Sequence, residues 1–390
     1  MTLANPNHFK RIGFNRCDII SFAGGWVNHK SPEALKDAYL EIIRNEDLFH
    51  QSGGYPPTLG TYECKRAIVK FKKHLYCVKN LDTNQIAIGA NSTQLVYDLM
   101  QVLLEDGDKI LLLDPTYCNY PLQILSSLKV HLIRFPVLNK DSWVYMADEK
   151  IHELSEYIIK NKPKVIMLVS PDNPTSQVLS DEFVQSALNA AREIGSFLII
   201  DFAYREIFFK EQFPDYFSWE PNENFISINS NSKWGRSLGR RLGWIEAPEF
   251  IIESIESFLN SSILCPDMLH QMAFTKYVDT AIKENSLKPY LRDTSRKYQL
   301  AAQRTVSSIK KHLGFPYLNP QGGLYTCIKV GMNSAKFVED VLKQTGVLFV
   351  PGWGFGRTLN EGVRVSFGPL VDNLNLIEKG IARVGRFLAK

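Results

Sequence analysis

Ser230-Asn231-Ser232-Lys233-Trp234-Gly235, running on to Gly239, Arg241 and Gly243, sets one lysine three residues after a serine and eight before an arginine. A lysine that forms a Schiff base needs a fixed location and a nearby cation. A phosphorylated cofactor needs hydroxyl and guanidinium groups close to that lysine, and Ser230 and Arg241 are of those types. Other residues offer matching chemistry. Asp201 closes the apolar run SFLII, and a carboxylate at the tip of a buried strand is costly unless it meets a positive partner. Ala90-Asn91-Ser92-Thr93 sits where a strand gives way to a helix. Free N–H groups at a helix start bind phosphate, and the Ser92 and Thr93 hydroxyls would add to them. Arg364, in VRVSFG, is flanked by valines and so points opposite to them. Each residue also has an ordinary reading: a helix N-cap for Asp201 and Ser92, a packed aromatic for Tyr204, an Asn-Pro turn for Asn173 and a surface salt bridge for Arg364.

These residues fall at the ends of short apolar runs. QIAIGA, KILLLD, VHLIRF, KVIMLVS, SFLIID, NFISIN and LGWIEA are rich in Ile, Leu and Val on both faces and alternate with amphipathic stretches such as 92–104 and 181–194. That pattern predicts an α/β domain with a mostly parallel sheet of about seven strands and helices on both faces. In such sheets ligands sit beyond the carboxyl ends of the strands, where these residues lie. After about residue 250 a long helical region (249–312) precedes GGLYTCIKV, a helix over 334–345, VLFVP, VRVSFG and a last helix, which predicts a smaller α+β domain. We expect a large domain over 50–265, with 1–49 and 266–390 forming the small one.

Composition narrows the function. A length of 390 residues suits two domains, and a net charge of +4 with interleaved signs implies no nucleic-acid surface. Six scattered cysteines without a C-x-x-C pair and eight dispersed histidines without H-E-x-x-H support neither a disulfide framework nor a metal site. The chain has no secretory signal and no apolar stretch of membrane-spanning length, so a cytoplasmic protein is expected. PGWGFG lacks the spacing of a nucleotide fingerprint.

The Ser-x-x-Lys, Gly, Arg-x-Gly segment resembles the cofactor-lysine signature of the class I/II aminotransferases, the aspartate aminotransferase superfamily of fold type I. Five further stretches match the same pattern in order, from SFAGG to VRVSFG. The resemblance implies pyridoxal 5′-phosphate as cofactor and a Schiff base on Lys233, which would then act as general base. It implies that Asp201 meets the ring nitrogen, that Tyr204 and Asn173 donate to the phenolic oxygen, and that Tyr117 stacks on the ring, with Tyr120 close enough to compete. The phosphate would lie against Asn91, Ser92, Thr93, Ser230 and Arg241, although the family usually has glycine where Asn91 stands. Tyr55 would reach the phosphate of the neighbouring subunit in a homodimer with shared active sites. Arg364 would clamp the substrate carboxylate, with Gly25, Trp26 and Asn173 beside it. The implied activity is transfer of an amino group from an L-amino acid to a 2-oxo acid. A lyase, decarboxylase, cyclase or synthase using the same lysine is the alternative. A DNA-binding regulator finds no room ahead of residue 21, and a catalytically dead scaffold disagrees with the intact core positions. Trp26, Tyr325 and Trp353 favour an aromatic or apolar pocket, while Arg236 (where the family commonly has glycine) and Arg240 favour acidic side chains.

Overall fold

The computed structural model describes residues 13–389. Seven strands form the main sheet: β1 (Ile86–Gly89), β2 (Lys109–Asp114), β3 (His131–Pro136), β4 (Val165–Val169), β5 (Phe197–Asp201), β6 (Phe225–Ser230) and β7 (Gly243–Glu246). Their spatial order is β1-β7-β6-β5-β4-β2-β3. All seven apolar runs are strands. The apolar residues on both faces are used: Leu111, Leu113, Ile166, Leu168, Leu198 and Ile200 join one hydrophobic cluster, and their neighbours Ile110, Leu112, Val165, Met167 and Ile199 join the other. Successive strand side chains point to opposite faces, so a sheet covered by helices on both sides needs no polar alternation.

The neighbours from β6 through to β3 pair in parallel, whereas β7 runs antiparallel to both β1 and β6. This one reversal decides where the 231–242 connection lies. Gly243, the first residue of β7, pairs with Ser230 at the end of β6 and with Gly89 at the end of β1. The 231–242 connection therefore begins and ends at the carboxyl edge of the sheet, and Lys233 and Arg241 stay at that edge. A Cβ on Gly243 would lie 2.8 Å from the backbone of both Asn91 and Ser92, so glycine lets the helix Ser92–Leu103 start against this strand.

Tyr325–Lys329, Gly362–Ser366 and Val350–Pro351 form a separate antiparallel sheet, and Ile20–Ser21 pairs in parallel with Val347–Leu348. With the helices Ser334–Thr345 and Leu374–Leu388 these make the smaller α+β part of the fold. Asp114 ties this part to the sheet: its carboxylate accepts from the amides of Arg357 (3.0 Å) and Thr358 (3.1 Å) and from the Thr358 hydroxyl (2.7 Å).

Packing crosses the boundaries expected near residues 49 and 265. Leu35, Ala38 and Ile42 of the helix Glu33–Arg44, and Ala273, Phe274 and Tyr277 of the helix Met268–Lys283, share the hydrophobic cluster of the large sheet. The helix Met268–Lys283 packs against both Glu33–Arg44 and the helix Tyr62–Tyr76, and apolar periodicity does not say which neighbour such a face will meet.

A charged network lies beneath the sheet. Lys72 Nζ is 2.9 Å from Glu246 Oε2, both side chains being fully buried. Glu246 also accepts from Asn229, Ser227 and the Trp244 indole, and Arg205 donates to Asn229 Oδ1 at 2.7 Å. Removing one partner of such a pair strands the other. Lys72→Met is expected to destabilise the fold by about 3 kcal/mol, read from the denaturant midpoint. Adding Glu246→Gln should recover part of that loss.

Candidate active site

At the carboxyl ends of β4, β5 and β6 lies a cleft of about 660 Å³, part of it open to solvent. Asp201 and Ser230 reach it as the last residues of β5 and β6. Lys233 comes from the turn after β6. Its Nζ donates to Gly25 O at 2.5 Å and stands 5.6 Å from the centre of the Tyr204 ring. Asp201 is 6% exposed; its Oδ2 accepts from the Tyr120 hydroxyl at 2.8 Å and its Oδ1 from the amide of Ala203 at 2.9 Å. It caps no helix.

At the other end of the cleft, Ser92 and Thr93 begin the helix Ser92–Leu103. Its cap is Asn91, whose Oδ1 accepts from the Gln94 amide at 3.0 Å. Capping by Ser92, the ordinary reading of that residue, is thereby excluded. The first-turn amides of Ser92 and Thr93 have no intrahelical acceptor. Ser230 Oγ accepts from the Ser232 amide at 3.1 Å and lies 2.8 Å from Ser232 Oγ. Arg241, at φ +56°, completes this end of the lining, its guanidinium bonded to Leu238 O.

Arg364 is 6% exposed, which removes the surface-salt-bridge reading. Its Nη1 donates to Asn173 Oδ1 at 2.8 Å and its Nη2 to Ala23 O at 2.9 Å, while the guanidinium carbon stands 4.3 Å from the Tyr325 ring centre and 5.0 Å from that of Phe355. Among the described residues its Nε has no partner. Tyr204 and Tyr325 join hydroxyls at 2.8 Å, linking the cleft to the arginine.

Ten expected residues therefore line one cleft: Asn91, Ser92, Thr93, Tyr117, Asn173, Asp201, Tyr204, Ser230, Lys233 and Arg241. Gly25 and Arg364 border it through the hydrogen bonds above. Trp26, half-exposed, packs its ring over Gly24, where a Cβ would lie 2.3 Å from the indole. Tyr55 is 86% exposed and does not line the cleft. Arg236 and Arg240 turn away from it: Arg236 donates to Asn28 Oδ1 and Arg240 to Ser31 Oγ. Sequence reasoning missed Ser232 and the bond from Tyr120 to Asp201. The closeness of Tyr120 to Tyr117 in sequence is the available signal for the latter, and the Tyr120 amide donates to Tyr117 O at 3.2 Å across a turn. Both rings line the cleft and meet edge-on at 5.2 Å between centres.

The family model for aminotransferase class I and II matches residues 18–379. The chain belongs to this family. It is 26% identical over 373 residues to an aspartate aminotransferase of Pyrococcus horikoshii, covering 93% of this chain and 91% of that one. To aromatic-amino-acid aminotransferase 2 of Thermococcus litoralis it is 25% identical, covering 96% and 94%. The solved aromatic aminotransferase of Pyrococcus horikoshii superposes with a TM-score of 0.83 at 23% identity over 99% of both chains. At that identity the superposition speaks for the fold. The protein is a pyridoxal-phosphate-dependent aminotransferase of fold type I, taking an amino group from an amino acid to a 2-oxo acid. Among the described residues no helix is long and apolar enough to cross a membrane, and no cluster of side chains could hold a metal ion.

The electrostatics of the aminotransferase cleft fit the cofactor. Burial, then the Arg364 and Arg241 charges, lower the Lys233 pKa from 10.5 to about 8, against the pull of Asp201. Burial raises the Asp201 pKa, against its hydrogen bonds from Tyr120 and Ala203 and the charge of Lys233. A buried carboxylate that faces a cleft and, among the described residues, accepts two hydrogen bonds is suited to a cationic ring nitrogen. The helix start, the serine hydroxyls and Arg241 are suited to a phosphate.

A lowered amine pKa means that the free base accumulates as pH rises through the lowered value. In the cofactor-free protein, acetylation of Lys233 followed by peptide mass spectrometry should be half-maximal near pH 8, the value to which the amine is lowered from 10.5. Arg364→Met should move that midpoint up, and Asp201→Asn should move it down.

Proposed function

We propose that Lys233 is the residue that bonds the cofactor and then carries the proton during amino transfer. The observation that supports this most is the sharing of one cleft by a lysine with pKa lowered to about 8 and the buried Asp201 carboxylate. At neutral pH an ordinary lysine is almost entirely ammonium and neither attacks a carbonyl nor takes a proton. Burial beside two guanidinium groups brings the free amine within reach.

Pyridoxal phosphate, when bound, supplies an electron-withdrawing ring that accommodates the electron pair released at the substrate Cα. Asp201 would hold the proton on the ring nitrogen, with Tyr120 and the Ala203 amide keeping the carboxylate ionised. Tyr204 and Asn173 would donate to the phenolic oxygen and Tyr117 would cover the ring. Ser92, Thr93, Ser230 and Arg241, with the backbone at Asn91, would grip the phosphate.

Arg364 would hold the substrate carboxylate with two N–H groups, which a lysine does not reproduce. To do so it would exchange the Ala23 carbonyl for the carboxylate, with Gly25 and Trp26 of the same segment beside the substrate. This orients the Cα–H bond toward the Lys233 amine. The substrates on this reading are an L-amino acid and a 2-oxo acid. The 86% exposure of Tyr55 suits a residue that serves the site of a second copy, so a homodimer with shared sites belongs to the proposal. The six free cysteines accord with a cytoplasmic location.

The stoichiometry of half a reaction tests the assignment. With one amino acid and no oxo acid, the loaded enzyme should release about one equivalent of oxo acid per subunit and stop, then restart when a 2-oxo acid is added. Continuous turnover of the amino acid alone would overturn transfer. Retention of the burst in Lys233→Ala would overturn the choice of lysine.

A further inference from the structure

The turn that carries Lys233 is held on both sides by buried histidines far away in sequence. His29 is 2% exposed, with Nε2 3.0 Å from Trp234 O and Nδ1 2.7 Å from the Tyr298 hydroxyl. A carbonyl only accepts, so Nε2 carries the hydrogen and Nδ1 accepts from Tyr298. His270, 1% exposed, has Nε2 2.9 Å from Asn231 Nδ2 and Nδ1 2.5 Å from the Tyr39 hydroxyl. The two imidazoles thus engage the residue just after Lys233 and the residue two before it. Burial lowers the His29 pKa to about 4 and the His270 pKa to about 3. Both rings are accordingly neutral across the working range, and neither adds a third cation beside the amine.

His29 does more than hold the turn. It sits on the same segment as Gly25, whose carbonyl takes the Lys233 ammonium hydrogen, and Ala23, whose carbonyl takes one from Arg364. Tyr298 receives the Asn28 amide at 3.3 Å, and Tyr290 donates to Trp234 O at 3.0 Å. One imidazole therefore joins the substrate-side segment, the lysine turn and the helix Leu287–His312.

We infer that His29 and His270 are positioning residues for Lys233, a pair of buried imidazoles that fix the lysine turn from either side and, through His29, hold residues 23–29 in register with it. Neither touches the reacting atoms. Their effect is to keep the amine in its desolvated place, where its pKa is low and its reach is set. The inference rests on the reading of Lys233 as the cofactor-bonding residue.

The test uses His29→Leu, His29→Gln and His270→Leu, with Tyr298→Phe as a milder variant that frees the His29 ring without emptying its site. Two quantities are read: the acetylation midpoint of Lys233 in cofactor-free protein, and kcat and KM of the loaded enzyme. In each Leu variant the midpoint should rise toward the ordinary lysine range. Its kcat should fall about 10- to 100-fold while KM moves little, the loss that a displaced catalytic group brings. His29→Gln, which keeps a donor for Trp234 O, should restore most of both, and Tyr298→Phe should shift both in the same direction by less. If either Leu variant fails to fold, Tyr298→Phe and His29→Gln still decide the question for His29, and Tyr39→Phe, which frees the His270 ring without emptying its site, decides it for His270. Unchanged midpoint and kcat in folded variants would overturn the inference. So would a loss confined to thermal stability and cofactor affinity, because a merely structural role gives that. If Lys233→Ala still forms the covalent cofactor bond, it is the reading of Lys233 that fails; if it does not, and the histidine variants behave as wild type, this inference fails alone.

Discussion

Two cations line a largely buried cleft, Lys233 and Arg241, and a third, Arg364, borders it, while Asp201 is the one carboxylate among the lining residues. That imbalance is the constraint from which the chemistry follows. Burial first, and then the excess positive charge, lower the affinity of the lysine for its proton, and that charge leaves room for an anionic ligand at either end of the cleft. A phosphate at the helix start and a carboxylate at Arg364 would meet it. The Ala23 and Gly25 carbonyls meet part of it now by accepting from Arg364 and Lys233.

The fold serves this constraint through the direction of one strand. Had β7 run parallel to its neighbours, the 231–242 connection would have crossed to the opposite edge of the sheet. Because it is antiparallel, Gly243 pairs with Ser230, and the lysine, the serine and Arg241 remain together. Glycine at 243 then lets the helix Ser92–Leu103 begin in contact with the same strand. In the buried network of Lys72, Glu246, Asn229 and Arg205, Asn229 immediately precedes Ser230 and Arg205 immediately follows Tyr204, so the network and the cleft share backbone.

Strands are legible in this sequence because burial on both faces makes them continuous apolar runs bounded by polar residues. The residues that line the cleft are legible because they stand at strand ends, where such a sheet binds ligands. Strand direction is less legible, since β7 reads like its parallel neighbours. Long-range packing is also hidden: the helices Glu33–Arg44 and Met268–Lys283 advertise an apolar face without naming the cluster it joins. Arg236 and Arg240 looked like candidates for an acidic substrate because proximity in sequence to Lys233 says nothing of direction, and both turn to the 28–31 segment. His29 and His270 carried no signal at all. A histidine is assigned by its partners, and theirs lie 205 and 39 residues away.

The central claim is that Lys233, and no other lysine, bonds the cofactor. Borohydride reduction of the loaded enzyme, followed by peptide mapping, tests it most directly. One phosphopyridoxyl group is expected, on the peptide containing Lys233, and it should be lost in Lys233→Ala. A group on any other lysine, or one that survives the substitution, would contradict it.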